Sequence, residues 1–250
     1  MKNWNKCSRY WNICYEQAIP RFGGTSSQGG FMEAHRAWDE GTRKRLIDAA
    51  GQTFARQGFR AATIREICRR ANAGISAVNY HFRDKQGLYE AVFEYSHRWA
   101  VEKYPHDLGL DDGATPEERL RAFIRSFLLR GLGDGFPAWH GKLIALEMAN
   151  PSGVLSKVAQ TAIRPMDEIL EGIVRELFRK DNPSREPDER SVRTCRLSIV
   201  GQCIFQIHAR QFMQLDEPKV LDPPRIAAIA DRIYRFSMGG IRAIAAEEQP

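Results

Sequence analysis

Twenty residues, Thr63 to Phe82, read TIREICRRANAGISAVNYHF and constrain the fold more than any other part of the chain. Ile64, Ile67, Cys68 and Ala71 recur at helical spacing, Thr63 stands where an N-cap belongs, and Glu66 three residues later suits a capping box. Asn72 tolerates the left-handed conformation that ends a helix. Gly74 then opens a second helix, Ile75 to His81, with Ala73, Val78 and Phe82 turned inward. Helix, short bend, helix is the unit whose second member enters a DNA major groove. Two helices this short bury too little surface to stand alone, so the flanks must complete their core. Upstream, Leu46, Ile47, Ala50, Phe54 and Ala55 mark one stripe of a helix from Thr42 to Gln57, with Gly58 as its C-cap. Downstream, Arg83 to Gly87 breaks the pattern and a fourth helix resumes at Leu88.

Charge singles out the same region. Residues 41–87 carry ten basic and three acidic side chains, or +7, whereas residues 1–40 carry +1 and residues 88–250 carry −2, within a total of +6. A basic end on a near-neutral body is the footprint of a polyanion-binding surface. With 43% hydrophobic residues the chain of 250 can build a conventional core. No apolar run approaches the roughly 20 residues that span a bilayer, and the opening MKNWNKCSRYWN lacks a secretory apolar core, so a cytoplasmic protein without membrane contact is expected. Cys7, Cys14, Cys68, Cys195 and Cys203 form no Cys-x-x-Cys pair and read as structural thiols.

Residues 1–40 look poorly committed: FGGTSSQGG at 22–30 has linker composition, and a start at Met32 is the alternative to a natural N-terminal extension. Past the basic head, Leu88, Val92, Tyr95, Trp99 and Ala100 mark a connecting helix that stops before Pro105. Pro116 starts another, with Leu120, Phe123, Ile124, Phe127 and Leu128 as its buried stripe. Further helices are expected over 138–149 and over about 153–180, the latter bent or split at Pro165. The last two run from Val192 to Leu215, apolar at Leu197, Val200, Gly201, Ile204, Ile207 and Ala209, and from Pro224 to Ala246, apolar at Ile226, Ile229, Ile233, Phe236 and Ile244. Nothing alternates as a strand would, so the expected fold is all-α, a helix-turn-helix head over 41–87 joined to a ligand-binding and dimerisation bundle over 88–250. The small residues of the last two helices suit close pairing with their copies in a homodimer, the alternative being burial inside one subunit.

The head resembles the TetR/AcrR family of transcriptional regulators. That family's run Ala-Gly-Val-Ser-x-Gly-x-Leu-Tyr-x-His-Phe, then x-x-Lys, lies over Ala71 to Phe82 and Lys85, with Asn72, Gly74 and Asn79 as departures. LIALEMANPSG, RPMDEIL, GQCIFQIHAR and DRIYRFSMGGIRA resemble the C-terminal domain of CecR-type regulators. The resemblance implies a homodimer that binds a palindromic double-stranded DNA operator, mostly represses, and releases DNA when a small molecule enters the body. An architectural DNA-binding or protein-interaction module without an effector is the alternative.

From the residues themselves, Thr63 and the first N–H groups of its helix face a phosphate, with Arg65 one turn inside. Ile75, Ser76, Ala77, Asn79 and Tyr80 occupy the outward part of the recognition helix; Asn79 suits an adenine edge, and Ile75 or Ala77 a thymine methyl. The resemblance adds phosphate contacts at His81 and Lys85. Packing of Tyr80 against Leu88, and capping of its own helix by His81, are the structural alternatives.

An effector pocket calls for apolar walls with a few convergent polar groups. Its candidates are Trp139, His140, Leu143, Met148, Met166, Leu170, Gln202, Phe205, Gln206 and His208, near the irregular stretches at Gly131 to Pro137 and at Pro165. An apolar or amphipathic molecule is expected there, acting on the head through the helix Leu88 to Tyr104. The six histidines include no i,i+4 pair, and no HExxH, GxSxG, GxGxxG or P-loop string occurs, so no enzyme, cofactor or metal site is expected.

Overall fold

The computed structural model describes residues 29–133, 137, 139–153, 160, 164–181, 183, 186–212 and 221–247. The expectations for residues 1–28 lie outside the described residues. The chain falls into two units, Met1–Gly41 and Thr42–Pro250. Among the described residues there are nine helices and no strand: α1 Gly29–Ala61, α2 Ile64–Ala71, α3 Ile75–Phe82, α4 Lys85–Lys103, α5 Pro116–Leu132, α6 His140–Ala149, α7 Arg164–Asp181, α8 Glu189–Phe212 and α9 Pro223–Glu247. None is long and apolar enough to cross a membrane.

The head is built as its apolar periods require. Leu46, Ile47, Ala50, Phe54 and Ala55 of α1 are buried with Ile67, Cys68 and Ala71 of α2, Val78 and Phe82 of α3, and Leu88, Tyr89, Val92 and Phe93 of α4. Gly58 breaks α1 with φ 76° and ψ 168°, a conformation almost confined to glycine, and the chain adds one more helical turn to Ala61 rather than stopping there. Upstream, α1 opens at Gly29 instead of near Thr42.

Local chemistry corrects two further expectations. The Thr63 hydroxyl accepts the Glu66 N–H at 3.2 Å, but the Glu66 carboxylate turns to Arg69, at 3.0 Å, instead of closing a capping box. The complete box lies at Thr115 and Glu118, at the start of α5 with Pro116 in its first turn. The fourth helix starts at Lys85 rather than Leu88, because Asp84 caps it by accepting the Gly87 N–H at 2.8 Å. A Cβ on Gly87 would stand 2.1 Å from the Phe82 carbonyl oxygen, so only glycine allows this tight return. Pro165 sits second in α7, where a missing N–H costs nothing, and residues 154–159 and 161–163 before it lie outside the described residues.

Most of the body is a second core. α5 packs against α7, α8 and α9, and α7 against α8 and α9, around Leu120, Ile124, Leu128, Leu170, Val174, Leu177, Ile226 and Ile241. Arg196 of α8 reaches Asp167 of α7 at 2.8 Å, and Arg121 of α5 reaches Asp231 of α9 at 2.6 Å. The inward face of α8 carries Val192, Cys195, Ile199 and Cys203, whereas Leu197, Gly201 and Phe205 point outward. Phe236 of α9 also lies outside, and so does Trp99 of α4, which corrects the single apolar stripe expected of that helix. Cys68, Cys195 and Cys203 are buried cysteines.

A candidate nucleic-acid interface

The recognition helix is held from beneath by two anchors. Val78 is fully buried and Phe82 nearly so, while one turn away Ile75, Ser76, Asn79 and Tyr80 are exposed along a single stripe. The turn before it is set by Asn72 at φ 48°, ψ 54°, where the Ala73 N–H donates to the Cys68 carbonyl at 3.0 Å and the Asn72 N–H to that of Arg69 at 3.4 Å. This is the Schellman pattern that closes a helix on a left-handed residue. The buried Cys68 thiol lies 3.7 Å from the Gly74 carbonyl and pins the other side of the turn. Gly74 caps α3 without a side chain, leaving the first N–H groups of the helix open to an anion.

The sequence-predicted residues fall into two groups here. Thr63, Arg65, Ile75, Ser76, Asn79 and Tyr80 are exposed, whereas Ala77, His81 and Lys85 are half-buried. Tyr80 is 73% exposed and meets the His81 ring edge-on, 5.0 Å between centroids, instead of packing inward. Ala77 packs against the head core. Lys85 donates to the Arg60 carbonyl at 3.2 Å and lies 4.7 Å over the Phe59 ring, so its ammonium ties the end of α1 to the start of α4. Burial lowers that ammonium from its ordinary value. Arg43, not singled out beforehand, sits 5.6 Å over the Phe82 ring at the back of the recognition helix. Arg45 donates to the Ala71 carbonyl at 3.3 Å and so caps α2.

The residues expected to line an effector pocket do not converge as one group. Trp139 and Leu143 join the core of the head, where a Cβ on Gly51 would lie 2.5 Å from the Trp139 ring. Met166 and Leu170 belong to the core of the body. Gln202 donates to the Ser237 hydroxyl at 3.3 Å, Phe205 is exposed and Gln206 half-buried. The Met148 side chain lies outside the described residues. His140 and His208 are electrostatic neighbours, and His97 joins them. Arg130 is the buried residue the sequence reading passed over. It continues the stripe of Phe123 and Phe127 at helical spacing, and a charge on an apolar stripe was the available signal. No group of three or more potential metal ligands occurs among the described residues.

Comparison with known proteins agrees with this geometry. Residues 46–92 match the family model described as bacterial regulatory proteins, tetR family, and residues 116–241 match the C-terminal domain of the HTH-type transcriptional dual regulator CecR. A stretch of 51 residues is 43% identical to the HTH-type transcriptional regulator YvkB of Bacillus subtilis, covering 20% of this chain and 27% of that protein. Another of 80 residues is 34% identical to the HTH-type transcriptional regulator BetI of Yersinia pestis, covering 32% and 40%. These matches span less than half of each relative's own length. The fold resembles the fatty acid degradation regulator FadR from Bacillus halodurans, with a TM-score of 0.62 at 17% identity over 80% of this chain and 96% of that one. It also resembles FadR from Bacillus subtilis, solved in complex with stearoyl-CoA, with a TM-score of 0.62 at 18% identity over 79% and 98%. At such identities the likeness is one of fold.

Proposed function

The chain belongs to the TetR family of bacterial transcription regulators, with a CecR-type C-terminal domain and no enzymatic role, and from that premise we propose a cytoplasmic homodimer that represses from a palindromic operator and lets go when a small molecule enters its body. The observation that carries this reading is the α3 stripe of Ile75, Ser76, Asn79 and Tyr80, exposed while Val78 and Phe82 fix its height above the core. Asn79 is the residue suited to read an adenine edge, while Thr63, Arg65, His81 and Lys85 serve the phosphates.

Dimerisation is supported by the outward faces of α8 and α9. Leu197, Phe205 and Phe236 are 52%, 62% and 74% exposed, and the exposed Gly201, Gly239 and Gly240 permit close helix approach. An apolar helical face of this kind, repeated in an identical copy, suits a two-fold interface. Such pairing presents two recognition helices to grooves about 34 Å apart or a multiple of that.

Release follows if an effector displaces α4, which carries Leu88 to Phe93 in the head core and leads into the body. Selection of sites from random double-stranded DNA with the purified chain tests the reading. A palindromic consensus whose affinity falls with a body-binding ligand is the expected result. Equal affinity for all sequences, without response to any ligand, overturns it in favour of an architectural role.

A further inference from the structure

Arg130 lies on the inner face of α5, only 8% exposed. Its Nε donates to the Ser126 carbonyl at 3.3 Å and its guanidinium sits 5.7 Å from the Phe127 ring centroid. Its Nη2 is buried without a hydrogen-bond partner, and no carboxylate pairs with the group among the described residues. Burial pulls the guanidinium down to about 10, still far above neutrality, so the cation persists.

The groups around it are uncharged or repelled by it. His97 on α4 and His106 in the following loop both feel the Arg130 charge, and His140 on α6 is coupled to His97 and to His208 on α8. Cys203 on α8 is also an electrostatic neighbour, and burial pushes its thiol up to about 12. Asp107 acts on His106 and accepts the Gly109 N–H at 3.1 Å. A buried cation with an open donor, beside the imidazoles of His97 and His106, is costly to leave unpaired. That cost is removed by an oxyanion, which the planar guanidinium binds in bidentate fashion.

We infer that Arg130, with His97 and His106 beside it, is the anion-binding end of the effector site, and that the effector is an apolar molecule bearing a carboxylate or phosphate. This rests on the regulator reading above and adds the chemical class of its ligand. The site joins α4, α5 and α8, and α4 also builds the core of the head, so anion binding there acts on the helix that carries the head.

The test uses the full chain with decanoate, decyl phosphate and methyl decanoate, and with 1-naphthoate, 1-naphthyl phosphate and methyl 1-naphthoate. Calorimetric affinity and melting temperature are read for the wild type, Arg130→Met and Arg130→Gln. The expected result is binding of at least one acid but not its ester, weakened roughly ten- to a hundredfold in both variants. Ligand-free Arg130→Met melts no lower than the wild type, because an unpaired buried charge is replaced by an apolar side chain of similar length. The preferred acid separates the carboxylate source from the phosphate source. Equal binding of acid and ester, equal binding by wild type and variants, or no binding of either acid series overturns the inference. Operator affinity measured in parallel separates the two readings. Release of DNA by esters, from wild type and variants alike, removes the anion site and leaves the regulator standing. Arg130-dependent anion binding by a chain with no affinity for DNA supports the site and removes the regulator.

Discussion

Tyr89 of α4 donates its phenolic proton to Glu147 of α6 across 2.7 Å, and both side chains are buried. The other carboxyl oxygen of Glu147 accepts the Ser152 N–H and hydroxyl, each at 2.7 Å, so both oxygens of this buried side chain are engaged. Burial, and then the hydrogen bond to Glu147, raise the Tyr89 phenol above its ordinary value, so it stays a donor at every working pH. Tyr89→Phe keeps the ring contacts with Phe54, Phe59 and Phe93 and removes only the hydroxyl. Chemical denaturation is expected to show a loss of about 1–3 kcal/mol, the cost of leaving one carboxylate oxygen short of a donor. An unchanged midpoint counts against a structural role for the bond.

Gly51 lies where α1 meets Trp139. Alanine in a helix is ordinarily worth about 1 kcal/mol over glycine, yet here the added Cβ would meet the indole at 2.5 Å. Overpacking costs about 1–3 kcal/mol and outweighs the propensity gain. Gly51→Ala is therefore expected to lower the melting temperature, whereas the same change at the open Gly141 raises it or leaves it unchanged.

Asn79 and Lys85 should separate reading from holding. Asn79→Ala is expected to cost about 1–3 kcal/mol on the preferred operator and little on random DNA. Lys85→Ala weakens binding on all DNA and reduces the salt slope by roughly one. It also loosens the head slightly, because it deletes the contact to the Arg60 carbonyl. Titrations of both variants on both DNAs at several salt concentrations check the division. Identical losses on the two DNAs would dismiss it.

The outward aromatic residues of α8 and α9 give a clean test of pairing. Phe236→Asp with Leu197→Asp changes two exposed side chains and so should leave the subunit folded. Sedimentation is expected to show monomers where the wild type gives dimers, with operator affinity lost and helical content retained. A double variant that remains dimeric places the interface elsewhere.

Acid should unfold the protein through its buried imidazoles. Burial and the nearby Arg130 hold His97 down to about 4, and burial with His97 and His208 holds His140 down to about 3. Because the folded values lie below the ordinary 6.5, the unfolded chain binds more protons as pH falls. Stability is therefore complete above about 6.5 and drains away between 6.5 and 4, by on the order of 3 kcal/mol for His97 alone. Denaturant midpoints measured across this range check the sign, and His97→Asn should flatten the slope.

Much of the head could be read from the chain because its determinants are local. The apolar spacing of Leu46 to Ala55, the Thr63 cap, the left-handed Asn72 and the glycine at 74 act over one or two helical turns, and the structure keeps each of them. The inward face of α8 was harder to see. Leu197, Gly201, Ile204 and Phe205 are as apolar or small as Val192, Cys195, Ile199 and Cys203, and hydrophobicity alone does not say which side meets α5 and α7.

Sequence by itself determined that this chain is all helical, that its positive charge gathers on a helix-turn-helix, and that Ile75, Ser76, Asn79 and Tyr80 of α3 stand outward, since each follows from residue chemistry, backbone preference or a period of 3.6 residues. Tertiary structure alone decided that Trp139 and Leu143 lie against the head, that Glu147 finds Tyr89, and that Arg130 is enclosed without a counter-charge among the described residues. Those outcomes depend on contacts between residues far apart in the chain, and their geometry is set only when several helices pack at once.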